Sequence, residues 1–175
     1  MNRTSPSRPT HHAANHARRA MTLLECVAAS LILAVIAVAA VRAAAGAAAT
    51  QAASSRSVTA TLLAQSLLSE IERTPYIDPS KPATLGRDAG ESASNKTAFD
   101  DVDDYDGWSE SPPQDANGAA IPNMTGWTRK VSVIWSDLGP VLEGRNGDTG
   151  LKLITVDVYF KSKLVRSLQS LRAPD

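Results

Sequence analysis

The sequence predicts an α+β protein: one long N-terminal helix, its first half embedded in a membrane, packed against a small antiparallel sheet of three or four strands. Three observations carry this reading. Residues 21 to about 74 contain no proline and open with a run, Cys26 to Val41, that has no charge. The last third alternates apolar and polar residues with the period of a strand. Between them, Leu63, Leu67 and Ile71 recur at four-residue spacing, an apolar stripe that needs a covering surface.

Residues 1 to 20 form a polar leader rich in Ser, Pro, His and Arg, without a packing pattern. The chain has 18 basic and 18 acidic residues, and four of the basic ones, Arg3, Arg8, Arg18 and Arg19, lie in this leader with no acid beside them. The chain beyond the leader is therefore mildly acidic, which argues against a nucleic-acid partner. Basic flanks stay in the cytoplasm, so the residues after the apolar run are expected on the far side of the membrane. His11, His12 and His16 all fall in the leader, where no rigid element fixes them. Cys26 is the only cysteine, which excludes an intrachain disulfide.

From residue 21 to about 74 the pattern predicts a single helix of about 53 residues, on the order of 80 Å at 1.5 Å per residue. Ala dominates from Val38 to Ala53, and Gly46 is its one weak point. The transmembrane segment is placed at about 23–45. In the second half, Arg56, Gln65, Glu70, Glu72 and Arg73 make a wet face, with Val58, Leu62 and Leu68 placed beside the apolar stripe. Thr74-Pro75 ends the helix, because the residue before proline avoids the helical region.

Residues 75–125 are a loop region rich in Pro, Gly, Ser, Asp and Asn. Within it, the segment 99–108 sets five aspartates among Phe99, Tyr105 and Trp108, with the aromatics expected to anchor the loop. Two readings stand for the acids: a solvated turn with side-chain-to-backbone hydrogen bonds, or a calcium site on Asp101, Asp103, Asp104 and Asp106.

Residues 126–175 read as the sheet. Trp127 to Ser136 puts Arg129, Val131, Val133 and Trp135 on one face. Leu151 to Phe160 is the longest β-rich run, and Leu164 to Leu171 comes after a short break. A two-residue hairpin at Lys161-Ser162 pairs Phe160 with Lys163 and Asp157 with Arg166. It gathers Ile154, Val156, Val158, Val165 and Leu171 on the face expected to cover the helix stripe. Lys-Ser is a poor pair for such a turn, so this register is loosely specified.

Glu25 opens an otherwise hydrophobic helix. An acid there is favoured by the helix dipole, yet an ionised side chain at the edge of a membrane run is also a functional candidate. Arg18-Arg19-Ala20 followed by Met21-Thr22-Leu23-Leu24-Glu25 resembles the processing site of type IV pilins and type II secretion pseudopilins. The family norm is Gly before the cut and Phe after it; here Ala20 and Met21 take those places. The resemblance implies cleavage by a prepilin peptidase between Ala20 and Met21, and N-methylation of Met21. It also implies that Thr22, Leu23, Leu24 and Glu25 serve recognition and subunit docking, Glu25 holding the place of the family's glutamate. The segments Phe99-Asp100-Asp101-Val102-Asp103-Asp104-Tyr105 and Leu63 to Ile71 are similar to minor pilin subunits of the mannose-sensitive haemagglutinin type, and the likeness spans most of residues 18 to 172.

No catalytic constellation is legible: no Gly-rich phosphate loop follows a strand, and no Ser sits in a Gly-x-Ser-x-Gly setting. The expected function is a non-enzymatic one. It is a minor pilin or pseudopilin, anchored in the inner membrane with its C-terminal domain periplasmic or extracellular, whose partners are the peptidase and other pilin or pseudopilin subunits. The alternative is a membrane-tethered extracytoplasmic binding module outside any filament.

Overall fold

A computed structural model describes residues 22–78, 85–87, 92, 94–139 and 144–174. The leader, with Ala20 and Met21, lies outside the described residues. Helix α1 runs unbroken from Leu23 to Ile71, 49 residues, as the absence of proline predicts. It passes through Gly46, around which the space is open. At its C-terminal end the Thr74 hydroxyl donates to the Ile71 carbonyl at 2.7 Å, satisfying an acceptor that the helix leaves unpaired. The chain divides into two compact units, residues 1–48 and 49–175.

In the first unit, α1 is apolar around its whole circumference. Its large side chains stand exposed, from 53% at Val38 to 83% at Leu23. The run contains an 18-residue window of mean hydropathy 2.6, long and apolar enough to cross a membrane. Ser30 does not spoil it, because its hydroxyl donates to the Cys26 carbonyl one turn back at 2.8 Å.

In the second unit, four strands form an antiparallel sheet in sequence order: β1 (Ser109–Glu110), β2 (Trp127–Trp135), β3 (Lys152–Phe160) and β4 (Lys163–Arg172). The helix stripe and the sheet make one core. Ala60, Leu63, Ala64, Leu67 and Ile71 pack with Val131, Val133, Ile154, Val156 and Val158, and the loop contributes Phe99, Val102, Tyr105 and Trp108. Val58 and Leu62 are not beside this stripe: both are more than half exposed. They occupy the opposite side of the helix, with Ala60 and Ala64 taking the close-packed positions.

Two features of the sheet differ from the sequence expectation. Its edge strand β1 comes from the loop region, through Ser109↔Lys130 and Glu110↔Arg129. Two residues of strand leave no periodicity to read. In the β3–β4 hairpin, Phe160 does pair with Lys163, through left-handed Lys161 and Ser162 at φ 48° and 64°. Arg166, however, pairs with Val158, and Asp157 with Ser167. Between Tyr159↔Leu164 and Val158↔Arg166 one extra residue, Val165, is inserted in β4. The bulge reverses the alternation beyond it. Leu168 therefore faces Val156 and packs on the core, whereas Leu171 pairs with Leu153 and is 36% exposed.

Candidate functional site

The chemistry-bearing residues fall into three groups, the first at the start of α1. The Glu25 amide donates to the Thr22 hydroxyl at 3.2 Å, and the Thr22 amide donates to the Glu25 carboxylate at 3.5 Å. This is a reciprocal capping box, which satisfies two orphan donors of a helix start. Leu23 and Leu24 project outward, 83% and 77% exposed. Thr22 and Glu25 thus meet each other within one chain, and Leu23 and Leu24 offer free apolar surface beside them.

The second group is the acidic loop. Its aromatics anchor it: Phe99 meets Tyr105 and Trp108 edge-to-face, with ring centroids 5.0 and 5.3 Å apart. Asp100 is exposed, but most of its acids do not face outward. Asp101, Asp103 and Asp104 are buried; the first and last turn their oxygens on the loop's own backbone, and Asp103 faces Lys152. Asp101 Oδ1 accepts from the amides of Asp103 (2.6 Å) and Asp104 (3.2 Å). Asp104 Oδ2 accepts from those of Asp100 (2.8 Å) and Asp101 (3.1 Å). Asp106 Oδ1 accepts from Val133 in β2 at 2.9 Å, tying the loop to the sheet. The side-chain-to-backbone turn is present, but inside the core rather than in solvent. Among the described residues no three His, Cys, Asp or Glu side chains are grouped so as to hold a metal ion.

The third group was not singled out from the sequence as a site. It is a buried set of ion pairs between α1, the loop and the sheet. Arg129, 1% exposed, donates to Glu110 through Nε and pairs with it through Nη2. Its Nη1 donates to the Leu63 carbonyl (2.9 Å) and Ser66 Oγ (3.0 Å) on α1, and its Nη2 to the Gln114 carbonyl. Trp108 Nε1 donates to Glu110 Oε2 at 3.3 Å. Lys96 lies 2.9 Å from Glu70 and 3.7 Å from Glu110. Glu70, expected on the wet face, is instead turned inward to Lys96 and to the Tyr105 hydroxyl (3.3 Å). Each charge has a partner, which a buried ion requires.

Beside this network Lys152, fully buried in β3, stands 2.6 Å from Asp103 Oδ1 and 4.2 Å from the centre of the Tyr76 ring, and donates to the Tyr76 carbonyl. The Lys152–Asp103 contact is an ion pair without the alignment of a hydrogen bond. Burial pushes the Asp103 carboxyl up to about 6, with Lys152 pulling the other way. Burial and the neighbouring Asp104 charge also raise Asp101. The Tyr76 phenol is raised by burial and by its 2.8 Å hydrogen bond to Asp148.

One signal of this network was present in the sequence: Arg129 occupies the same alternating face as Val131 and Val133, where a lone cation needs a buried partner. Its partner Glu110 carries no such mark, being in a strand of two residues. The arrangement is one of internal ties. It holds the loop and the sheet edge against α1, and its charges are directed at one another. Comparison with protein-family models, with curated proteins and with solved structures finds no match.

Proposed function

We propose that this chain is a minor pilin or pseudopilin, a membrane-anchored structural subunit that assembles into a type IV pilus or a type II secretion pseudopilus once its leader is removed. The observation that carries the reading is α1 itself. One unbroken helix is apolar all round in its first half and buries a single stripe against its own sheet in its second. A tether has no need to continue as helix into the domain. A subunit whose neighbours pack helix on helix does.

On this reading the leader lies on the cytoplasmic side of the inner membrane, and the domain is periplasmic or extracellular. A prepilin peptidase cuts between Ala20 and Met21. Glu25 then stands one turn from a new amine, and a neighbour displaced along the filament offers the same amine. In a low-dielectric bundle that attraction is far stronger than in water. The capping box supplies the competing role, so Glu25 exchanges a weak contact with its own Thr22 amide for a charged partner on assembly.

Mass spectrometry of the membrane fraction tests the first step: the expected mature chain begins at Met21 and carries an N-methyl group. An intact leader overturns the reading. Crosslinking of the subunit to its filament partners in cells with a working peptidase tests the second. Glu25→Ala is expected to leave membrane insertion and the fold of residues 75–172 unchanged while the crosslinked complex falls sharply. Equal yield from both chains reduces Glu25 to a helix cap.

A further inference from the structure

The two edges of the sheet are finished differently. On the β2 side, β1 pairs through Ser109↔Lys130 and Glu110↔Arg129. The loop occupies the rest of that edge. The Val131 amide donates to the Trp108 carbonyl at 2.9 Å, and the Val133 amide to Asp106 Oδ1 at 2.9 Å. The Trp135 carbonyl accepts from the Arg145 amide at 2.9 Å. On the other side β4 pairs with β3 and, among the described residues, with no other segment. Alternate residues of an antiparallel edge strand direct their N–H and C=O away from the neighbouring strand. None of the ten residues of β4 is buried.

An open edge of this length is a template for further pairing, which basic side chains and bulges oppose. β4 has both, with Lys163 and Arg166 on either side of the extra residue Val165, but only in its first half. From Ser167 to Leu171 there is no bulge, proline or charge. The register sorts the side chains. Lys163 and Arg166 pair with Phe160 and Val158 on the face that turns to α1, whereas Leu164 and Leu171 pair with Tyr159 and Leu153 on the opposite face. On the first face Arg166 donates to Ser57 Oγ at 2.7 Å, and Arg56 and Lys163 line, with Phe160, a cleft of about 270 Å³. No acid occurs in residues 51–69 or 158–174, and among the described residues neither Lys163 nor Arg166 pairs with a carboxylate. Further along this face Ser170 donates to Glu72 at 2.6 Å, so an added acid is unwelcome there.

Charge decides the occupant. A second copy of β4 brings basic side chains and no acid, and like charges across a strand pair repel. An extended segment carrying acids at one end meets Arg56, Lys163 and Arg166. Its alternate apolar residues then fall beside Leu164 and Leu171, which are 49% and 36% exposed.

We propose that the open edge of β4 is a strand-addition site for a partner protein, which contributes an extended segment whose acidic residues alternate with apolar ones. Backbone hydrogen bonds hold the segment, and Arg56, Lys163 and Arg166 select its acids and fix its direction. The site lies wholly in the second unit and rests neither on cleavage of the leader nor on assembly into a filament.

The probe is a synthetic ten-residue peptide in which valine alternates with glutamate over one half and with threonine over the other, added to the full chain in uncharged detergent. Hydrogen exchange is followed at the amides of residues 163–171. At a peptide concentration about ten times its Kd, exchange at the outward amides is expected to slow by about tenfold, by mass action. Exchange in the buried strand β3 stays unaltered. The same peptide N-methylated along its backbone, or with lysine in place of glutamate, should leave β4 exchange unchanged. In the Lys163→Gln/Arg166→Gln chain the Kd should rise several-fold. No slowing at millimolar peptide overturns the proposal. Equal slowing by the N-methylated peptide reduces the site to a charge contact and overturns strand addition. Equal slowing by the lysine peptide, or an unchanged Kd in the double variant, overturns the selection of acids. Slowing that grows with protein concentration and needs no peptide makes a second copy the occupant and overturns the assignment to a partner.

Discussion

The two halves of α1 are built from the same kinds of residue and solve opposite problems. Residues 23–48 turn Leu, Ile and Val outward on every side. Residues 60–71 turn inward only Ala60, Leu63, Ala64, Leu67 and Ile71. Both are stable helix, because neither contains proline and each is rich in good helix formers. What differs is the solvent each requires. A helix that is apolar all round is at ease only where every neighbour is apolar; one with a stripe needs one apolar neighbour and water elsewhere. The distal half has that neighbour in its own chain. Among the described residues the first half has none, and an exposed apolar surface of this extent marks a membrane or a protein contact.

A charge placed in each half sharpens the contrast, and it has the largest effect. Val156→Asp puts an unpaired carboxylate in the core beneath the stripe, and it is expected to abolish the folded domain, since such burial costs several kcal/mol. Near-ultraviolet circular dichroism reads this through the buried Trp108 and Trp127. Val35→Asp, in the first half, should leave that spectrum and its melting temperature unchanged. It should instead weaken membrane insertion, by about 2.5–3.5 kcal/mol on the scale for a charge at the centre of a span. Loss of the domain signal from the second substitution would break the comparison.

Next in size is the buried network that ties the distal half to the sheet. Arg129→Ala leaves Glu110 without its main partner and is expected to destabilise the domain by about 3–5 kcal/mol. Arg129→Met together with Glu110→Gln removes both charges and should recover much of that loss. Chemical denaturation of the full chain in detergent measures both. If the double variant is no better than the single one, the guanidinium contacts to Leu63 and Ser66 matter more than the charge pairing.

The smallest effect is a pH dependence. Asp103 has a folded-state pKa of about 6, above its ordinary value of 3.8, so folding takes up a proton between those two values. Its contribution to stability is fully present below the lower value and is lost as pH rises through 6. Wild-type stability, measured relative to Asp103→Asn, should therefore increase as pH falls from 7 to 5, by on the order of 1–2 kcal/mol. A difference independent of pH would mean that Lys152 keeps Asp103 ionised throughout. The first half of α1 should show no such dependence.

The order and type of the main elements were legible in the sequence. The proline-free stretch gave one helix, the four-residue recurrence of Leu63, Leu67 and Ile71 gave its buried stripe, and the alternation in 127–136 and 151–160 gave two strands with the correct inward faces. These are local properties, and periodicity reports them directly. The aromatic anchoring of 99–108 was legible for a similar reason, because three large rings in ten residues must bury somewhere.

Other features depended on partners distant in sequence. The bulge at Val165 comes from fitting β4 to β3, and it decides that Leu168 rather than Leu171 meets the core. No pattern within β4 encodes that. Val58 and Leu62 look as apolar as Leu63, and only the position of the sheet leaves them outside. The aspartates of the loop show the same limit. Sequence identifies four carboxylates close together, but whether they face water, a cation or their own backbone depends on where Lys152 and the Val133 amide arrive. Residues 23–71 were determined as a helix by their own composition, through interactions a turn apart. Which of their side chains are buried, and which charges they meet, was decided by the packing of the loop and the sheet, which brings Lys96 to Glu70 from 26 residues away and Arg129 to Leu63 from 66.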